Sequence, residues 1–129
     1  MAPVYGTEAQ EASDITLTTN TGTAFANKVT LVTTALPLGN YRLVVGYNWG
    51  SSSGNQDFIG RVQVDAVTLW TNHQAEPKDS GVDQSNPITR NFPLQNWSWI
   101  KTITLDYAAS DGATTARISD AIVYIIRVS

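Results

Sequence analysis

The sequence predicts an all-β protein: a single β-sandwich or jelly-roll domain with an extended N-terminal arm. Apolar residues alternate with polar ones at a period of two, and Gly, Asn, Asp and Ser residues of the turn-forming type separate these short runs. No stretch of useful length shows the periodicity of an amphipathic helix. The 129 residues fit one domain, in which we assign residues 1–13 to the arm and 14–129 to the sandwich.

Each predicted strand places one side in the core. The alternation is clearest over residues 41–49, and it recurs over 58–64 and 103–107, with shorter Thr-rich strands near 15–17 and 29–31. The last segment, 122–128, is apolar on both faces apart from Arg127, which predicts a central strand covered on each side. The predicted core residues are Leu43, Val45, Val62, Val64, Ile103, Leu105, Ile122 and Ile126.

Turn residues and prolines define the connections. Asp111-Gly112 predicts a hairpin between its flanking strands, because Gly tolerates a positive φ. Residues 71–98 are polar and contain three prolines, which predicts a long connection of the kind that a partner or a function holds in place. Trp97 and Trp99 lie two apart, so their rings should face the same side of an extended segment.

Composition and charge exclude several classes of protein. The net charge is −3, and the eight Lys and Arg residues are scattered, which disfavours nucleic-acid binding. No apolar run is long enough to span a bilayer, and the first residues have neither the basic nor the apolar region of a signal peptide. We therefore expect a soluble protein with no membrane partner. Charged residues, at 15%, fall below the usual ~25%, which suits a surface packed against copies or partners.

Candidate catalytic and metal-binding residues are sparse. His73 is the single histidine, and Glu76 follows it at a spacing that no helix supports. A structural calcium ion could draw oxygens from Asp79, Asp83 and Asn86, but their spacing is not that of a calcium loop. The remaining carboxylates considered for paired acid–base chemistry are Asp57, Asp65 and Asp106, which sit on polar strand faces. We predict no catalytic residue, no metal site and no cofactor.

One long segment resembles a known group of proteins. Residues 57–65, DFIGRVQVD, followed by HQAEPKD at 73–79, resemble a stretch that recurs in structural proteins of tailed bacteriophages. In those proteins a strand of the FIARVQVD kind leads into an H-x-x-E-P-K-D loop, and the chain closes near RVS, here YIIRVS at 124–129. The resemblance spans about residues 40–129. Gly60 stands where the family has Ala, a departure that we expect to matter little.

The resemblance implies a non-enzymatic virion protein. Among such proteins, the chain is most similar to a capsid decoration, or cement, protein, which implies a jelly-roll fold and a homotrimer. Such a protein is made in the host cytoplasm and binds the major capsid protein on the outer surface of the phage head. The expected partner-contact residues lie in the arm and in the loop after residue 71: Val4, Tyr5, His73, Glu76, Lys78 and Asp79.

An alternative within the same virion stays open. A domain of a fibre or tail that binds a carbohydrate or receptor would expose aromatic rings beside Asn, Asp and Gln side chains. Tyr47, Asn48, Trp49 and the turn at 51–55 could form such a patch.

Overall fold

The computed structural model describes residues 9–53, 55–75 and 86–129, with the backbone alone at 71–75 and 86. Over these ranges the chain is an all-β sandwich of the jelly-roll type, as the sequence predicts. The strands are β1 (Gln10–Asp14), β2 (Thr18–Thr21), β3 (Ala26–Val32), β4 (Leu36–Ser51), β5 (Phe58–Val64), β6 (Val67–Ala75), β7 (Asn86–Trp99), β8 (Thr102–Ala109) and β9 (Thr115–Arg127).

Two antiparallel sheets form the sandwich. Sheet A has the order β1-β9-β4-β7, with β2 also paired to β9, and sheet B has the order β3-β8-β5-β6. From β2 onward, consecutive strands alternate between the sheets except at β5 and β6, so most pairings join residues far apart in sequence. The core lies between the sheets, where Phe58 stacks on Trp49 with ring centroids 5.5 Å apart.

Period-two alternation locates most of the core. Leu43, Val45, Val62, Ile103 and Leu105 are buried, as predicted, and Val64 is half-buried and packs against them.

The prediction is wrong for β9. Its inward residues are Ala121, Val123 and Ile125, while Ile122 and Ile126 are half-buried on the outer face. A strand that is apolar on both faces carries no alternation, so its sequence cannot show which face points inward.

The predicted arm is too long at its inner end. Residues 10–13 belong to β1, which pairs antiparallel with β9 in the register Gln10↔Ile125. The Gln10 amide also accepts from the Thr34 N–H and donates to the Thr34 hydroxyl, at 2.9 Å each. Backbone pairing and these bonds hold a polar segment that lacks the apolar residues of an ordinary strand. Residues 1–8 lie outside the described residues.

The predicted connection at 71–98 is largely two strands. β6 continues to Ala75 and β7 begins at Asn86, while residues 76–85 lie outside the described residues. Pro87 and Pro93 fit inside β7 because that strand lies at the edge of sheet A, where β4 is its neighbour on one side. Proline cannot donate to a ladder and is therefore confined to such edges.

The predicted Asp111-Gly112 hairpin is also wrong. β8 belongs to sheet B and β9 to sheet A, so this turn carries the chain between sheets. The Asp111 carboxylate accepts from the N–H groups of Ala113 and Thr114, at 3.0 and 2.8 Å. A two-residue hairpin occurs instead between β5 and β6, where Asp65 and Ala66 have φ of 49° and 65°. It lacks the glycine that marks most turns of this type in a sequence.

A buried lysine closes one side of the sandwich. The ammonium group of Lys28 on β3 donates to the Thr16 carbonyl at 2.6 Å and the Thr18 hydroxyl at 3.1 Å. It also pairs with Asp14 at 3.1 Å, and its side chain is 1% exposed. These bonds tie the edge of sheet A to the edge of sheet B.

Candidate functional site: the Trp99 surface

An apolar surface lies at one end of the sandwich, where β7 ends, β4 begins and the chain terminates. Trp99 is opposite Leu36 across the β4–β7 pair, and the Val128 N–H donates to the Asn40 carbonyl at 2.8 Å. The segment after β7 joins the end of β3 through the bond from the Thr33 N–H to the Lys101 carbonyl, 2.9 Å. We define the Trp99 surface by its exposed apolar residues, which are Val32, Leu38, Trp99, Ile100 and Val128.

Trp99 is turned outward by an unusual backbone conformation. Its φ is +70°, in the left-handed region, and its side chain is 68% exposed. A bulky residue rarely adopts this conformation, and local strain of this kind clusters at binding sites. Trp97 is half-buried and packs against the core. The prediction that the two rings share one environment is therefore wrong, because regular alternation does not continue through Trp99.

Hydrogen bonds fix the backbone beside this ring. The Asn40 amide accepts from the Asn96 N–H at 3.1 Å and donates to the Ser129 hydroxyl at 2.7 Å. Arg127 donates to the Leu38 carbonyl at 3.0 Å. A Cβ at Gly39 would approach Nε of Arg127 to 2.6 Å, so the absence of a side chain there lets Arg127 reach across β4. These hydrogen bonds hold the backbone on either side of the exposed ring in place.

Polar residues and one positive charge lie close to Trp99 along the chain. Asn96 and Ser98 are exposed on the same segment of β7. The Lys101 ammonium lies 5.5 Å from the centroid of the Trp97 ring and 3.8 Å from the Asp65 carboxylate. An apolar ring with amide, hydroxyl and ammonium neighbours can bind a ligand that has both an apolar face and hydrogen-bonding groups.

The sequence-predicted partner-contact residues fall mostly outside the described residues. This holds for Val4, Tyr5, Glu76, Lys78 and Asp79. The backbone of His73 lies on β6 opposite Gly60. These assignments stay predictions.

The predicted aromatic patch does not lie on the surface. Tyr47 and Trp49 are 3% and 8% exposed, because both point inward from β4 toward Phe58. Burial raises the pKa of the Tyr47 phenol well above its usual range. The amide of Asn48 donates to Asp120 at 2.9 Å. Alternation alone could not identify Trp99 as an exposed aromatic residue, because its exposure depends on a left-handed backbone conformation.

The strand carboxylates serve the structure in separate places. Asp106 is buried and pairs with Arg61 at 2.9 Å, whereas Asp65 accepts from the Thr102 N–H at 2.9 Å. Hydrogen bonds from Thr16, together with Lys28, lower the pKa of Asp14 from 3.8 to about 2. Within the described ranges, no three His, Cys, Asp or Glu residues are grouped closely enough to hold a metal ion. Asp79 and Asp83, the carboxylates on which a structural calcium ion could draw, lie outside those ranges, and so does the side chain of Asn86.

The described residues contain no helix of the length and apolar character that crossing a membrane requires.

Comparison with known proteins identifies the fold. No family model and no curated protein matches the chain. Among solved structures it is similar to Eiger TNF from S. frugiperda, with 10% identity over 94% of this chain and 92% of that one, and a TM-score of 0.58.

Two carbohydrate-binding modules are also similar. The CBM36-1 domain of a multidomain xylanase from the hindgut metagenome of Trinervitermes trinervoides shares 14% identity over 94% of this chain and 98% of that one, with a TM-score of 0.51. A family 35 module from Clostridium thermocellum shares 14% over 99% and 100%, with a TM-score of 0.46. At these identities, the likeness to Eiger TNF and to the CBM36-1 domain shows the fold alone.

Proposed function

We propose that the chain is a non-catalytic binding domain that recognises carbohydrate through the Trp99 surface. The observation that carries the proposal is the Trp99 indole, 68% exposed and held outward by a left-handed backbone. An exposed indole is fixed against a ligand at little cost in conformational entropy, because its side chain has few rotatable bonds. The apolar face of a sugar ring can then stack on it.

The neighbouring polar groups suit the rest of such a ligand. Asn96 and Ser98 offer an exposed amide and hydroxyl on the segment of β7 that leads to Trp99, and Lys101 adds an ammonium group 5.5 Å from the centroid of the Trp97 ring. Sugars present hydroxyl groups around an apolar ring face, and a site of this composition satisfies both. The similarity to the CBM36-1 domain supports the proposal at the level of fold, since that domain is a carbohydrate-binding module carried by a xylanase.

A glycan array probed with the labelled protein tests this proposal. We expect binding to a restricted set of glycans, and Trp99→Ala to weaken it at least about tenfold, which corresponds to ~1.4 kcal/mol. Trp99→Phe keeps an aromatic ring and should retain part of the affinity. Ile15→Ala serves as the matched control, because Ile15 is 74% exposed outside the Trp99 surface. An array without a bound glycan, or equal binding by Trp99→Ala, would contradict the proposal.

The second candidate is the role that the phage resemblance implies, a capsid decoration protein on the outer surface of the head. The aliphatic composition of the Trp99 surface favours it, because Val32, Leu38, Ile100 and Val128 suit a protein partner better than a sugar. Co-sedimentation with purified phage heads that lack the protein separates the candidates. Binding to heads without a glycan ligand supports the decoration role, and binding to a glycan alone supports carbohydrate recognition.

A further inference from the structure

The outer faces of the two sheets differ in composition. On sheet B most residues facing away from the core are polar, among them Thr30, Arg61, Gln63 and Thr104, and the apolar exceptions include Val32, Ile59 and Ala108. On sheet A the two central strands place Val44 beside Tyr124, with Ile122 and Ile126 on either side along β9. An antiparallel sheet that faces water alternates apolar-in and polar-out. Most of sheet B follows this rule, whereas the middle of sheet A has four apolar residues side by side on its outer face.

Opposite charges flank this apolar stripe. Glu11 on β1 is opposite Tyr124, and Arg42 on β4 is opposite Ile126. Both side chains are exposed, and neither forms an ion pair with another described residue. Two strand spacings separate them, about 10 Å, so they are too far apart to pair within one chain.

A cavity opens on the same face beside Glu11. It has a volume of about 360 Å³ and is lined by Ala9, Gln10, Glu11, Ile122 and Tyr124. The amide of Gln10 is engaged with Thr34, whereas the Glu11 carboxylate has no cationic partner among the described residues. A guanidinium group fits a site of this kind, because it can hydrogen-bond to the carboxylate and stack on the aromatic ring.

We propose that the outer face of sheet A binds a second copy of this chain, and that Arg42 of one copy enters the cavity beside Glu11 and Tyr124 of the next. Closed symmetric assembly requires one surface to hold complementary features, and this stripe has a cation on one flank and an anion in a cavity on the other. Docking would complete the burial of Ile122, Tyr124 and Ile126, which are half-buried in the single chain, and this explains why β9 is apolar on both faces. This inference does not depend on carbohydrate binding, because the Trp99 surface lies at the end of the sandwich.

Sedimentation of the full chain over a range of concentrations, from about 1 to 200 µM, tests the proposal. We expect the wild type to form a species larger than the monomer. Arg42→Glu and Glu11→Arg should each weaken association about thirtyfold or more, because each places like charges together in the interface. The combined Arg42→Glu, Glu11→Arg protein should recover most of the affinity, because the pair is restored with its signs exchanged.

Arg90→Glu is the matched control, since Arg90 is exposed on β7 but lies on the core side of the sheet, opposite Val45. It should associate like the wild type. Circular dichroism checks that each variant is folded. If Arg42→Glu or Glu11→Arg does not fold, Arg42→Gln or Glu11→Gln replaces it, with a smaller expected loss of association affinity. A wild type that is monomeric throughout, single variants that associate normally, or a charge exchange that restores nothing would each overturn the proposal.

Discussion

The hydroxyl of Tyr47 lies against the Cα of Gly60, in the space that any side chain at position 60 would occupy. A Cβ there would overlap this oxygen and approach Cζ of the ring to 3.2 Å. Tyr47 is buried on β4 in sheet A, and Gly60 is on β5 in sheet B, so the contact sets how closely the sheets approach. The expectation that glycine in place of alanine matters little at position 60 is therefore wrong for this chain.

The first prediction concerns this contact. Gly60→Ala should lower the free energy of unfolding by ~1–3 kcal/mol, because a methyl group is forced into a packed core. In a Tyr47→Phe background the same substitution should cost less, since the overlapping oxygen is gone. Gly46→Ala is the control, because a Cβ there would meet its neighbours at ordinary distances of 3.5 Å or more. Urea denaturation of the wild type, the two single variants, the double variant and the Gly46→Ala control measures the difference, and an equal cost in both backgrounds would show that the hydroxyl is not the obstacle.

The second prediction concerns the β5–β6 hairpin. Ala66 has a φ of 65°. This left-handed conformation is energetically unfavourable for alanine because of its Cβ, but not for glycine. Ala66→Gly should therefore raise the free energy of unfolding by about 0.5–1 kcal/mol, the surplus after the greater chain entropy of glycine in the unfolded state. Asp65→Gly is the contrasting variant, because it removes the carboxylate that accepts from the Thr102 N–H. In thermal unfolding, the melting temperature of Ala66→Gly should lie above that of the wild type, and that of Asp65→Gly below it. The reverse order would refute the turn assignment.

The third prediction concerns acid stability. Hydrogen bonds from the Thr16 hydroxyl and N–H, at 2.6 and 2.9 Å, and the contact with Lys28 lower the pKa of Asp14 from 3.8 to about 2. The folded chain therefore binds this proton less readily than the unfolded chain. The stability that Asp14 contributes is complete above about pH 4 and is lost as the pH falls toward 2.

Urea midpoints at pH 5 and at pH 2.5 test this sign. The urea midpoint of the wild type should be lower at pH 2.5 than at pH 5. The midpoint of Asp14→Asn should decrease less over the same change in pH. Thr16→Val removes one donor while keeping the shape, so it should also reduce the difference. Asp111, whose pKa is lowered by hydrogen bonds from Thr114 and Ala113, supplies a residual dependence in every variant. A midpoint for Asp14→Asn that drops as steeply as that of the wild type would contradict the assignment.

Sequence patterns predicted the parts of the fold where one face of a strand is apolar and the other polar. Leu43 on β4 and Leu105 on β8 are fully buried, as the alternation requires. β7 was missed because Pro87 and Pro93 read as loop residues, although an edge strand accepts them. The β5–β6 turn was missed because Asp65-Ala66 carries no glycine.

The candidate site was less accessible from the sequence. The carbohydrate-binding alternative needs Tyr47 and Trp49 on the surface, yet they occupy the core side of β4, which their alternation with Arg42 and Asn48 already indicates. Trp99 is exposed through a left-handed φ, and no local residue pattern encodes that for a tryptophan. The Trp99 surface also joins the ends of β3, β4, β7 and β9, so it exists only once the sheets have assembled.

The central claim, that the Trp99 surface binds carbohydrate, is tested most directly by a nuclear magnetic resonance titration with the tightest glycan from the array. The indole N–H signals of the four tryptophans would be assigned by single Trp→Phe variants. We predict that the Trp99 indole and the amides of residues 38–40 and 96–101 shift together and saturate at one affinity. Shifts on the outer face of sheet A around Glu11 and Tyr124, with the Trp99 indole unmoved, would contradict the claim.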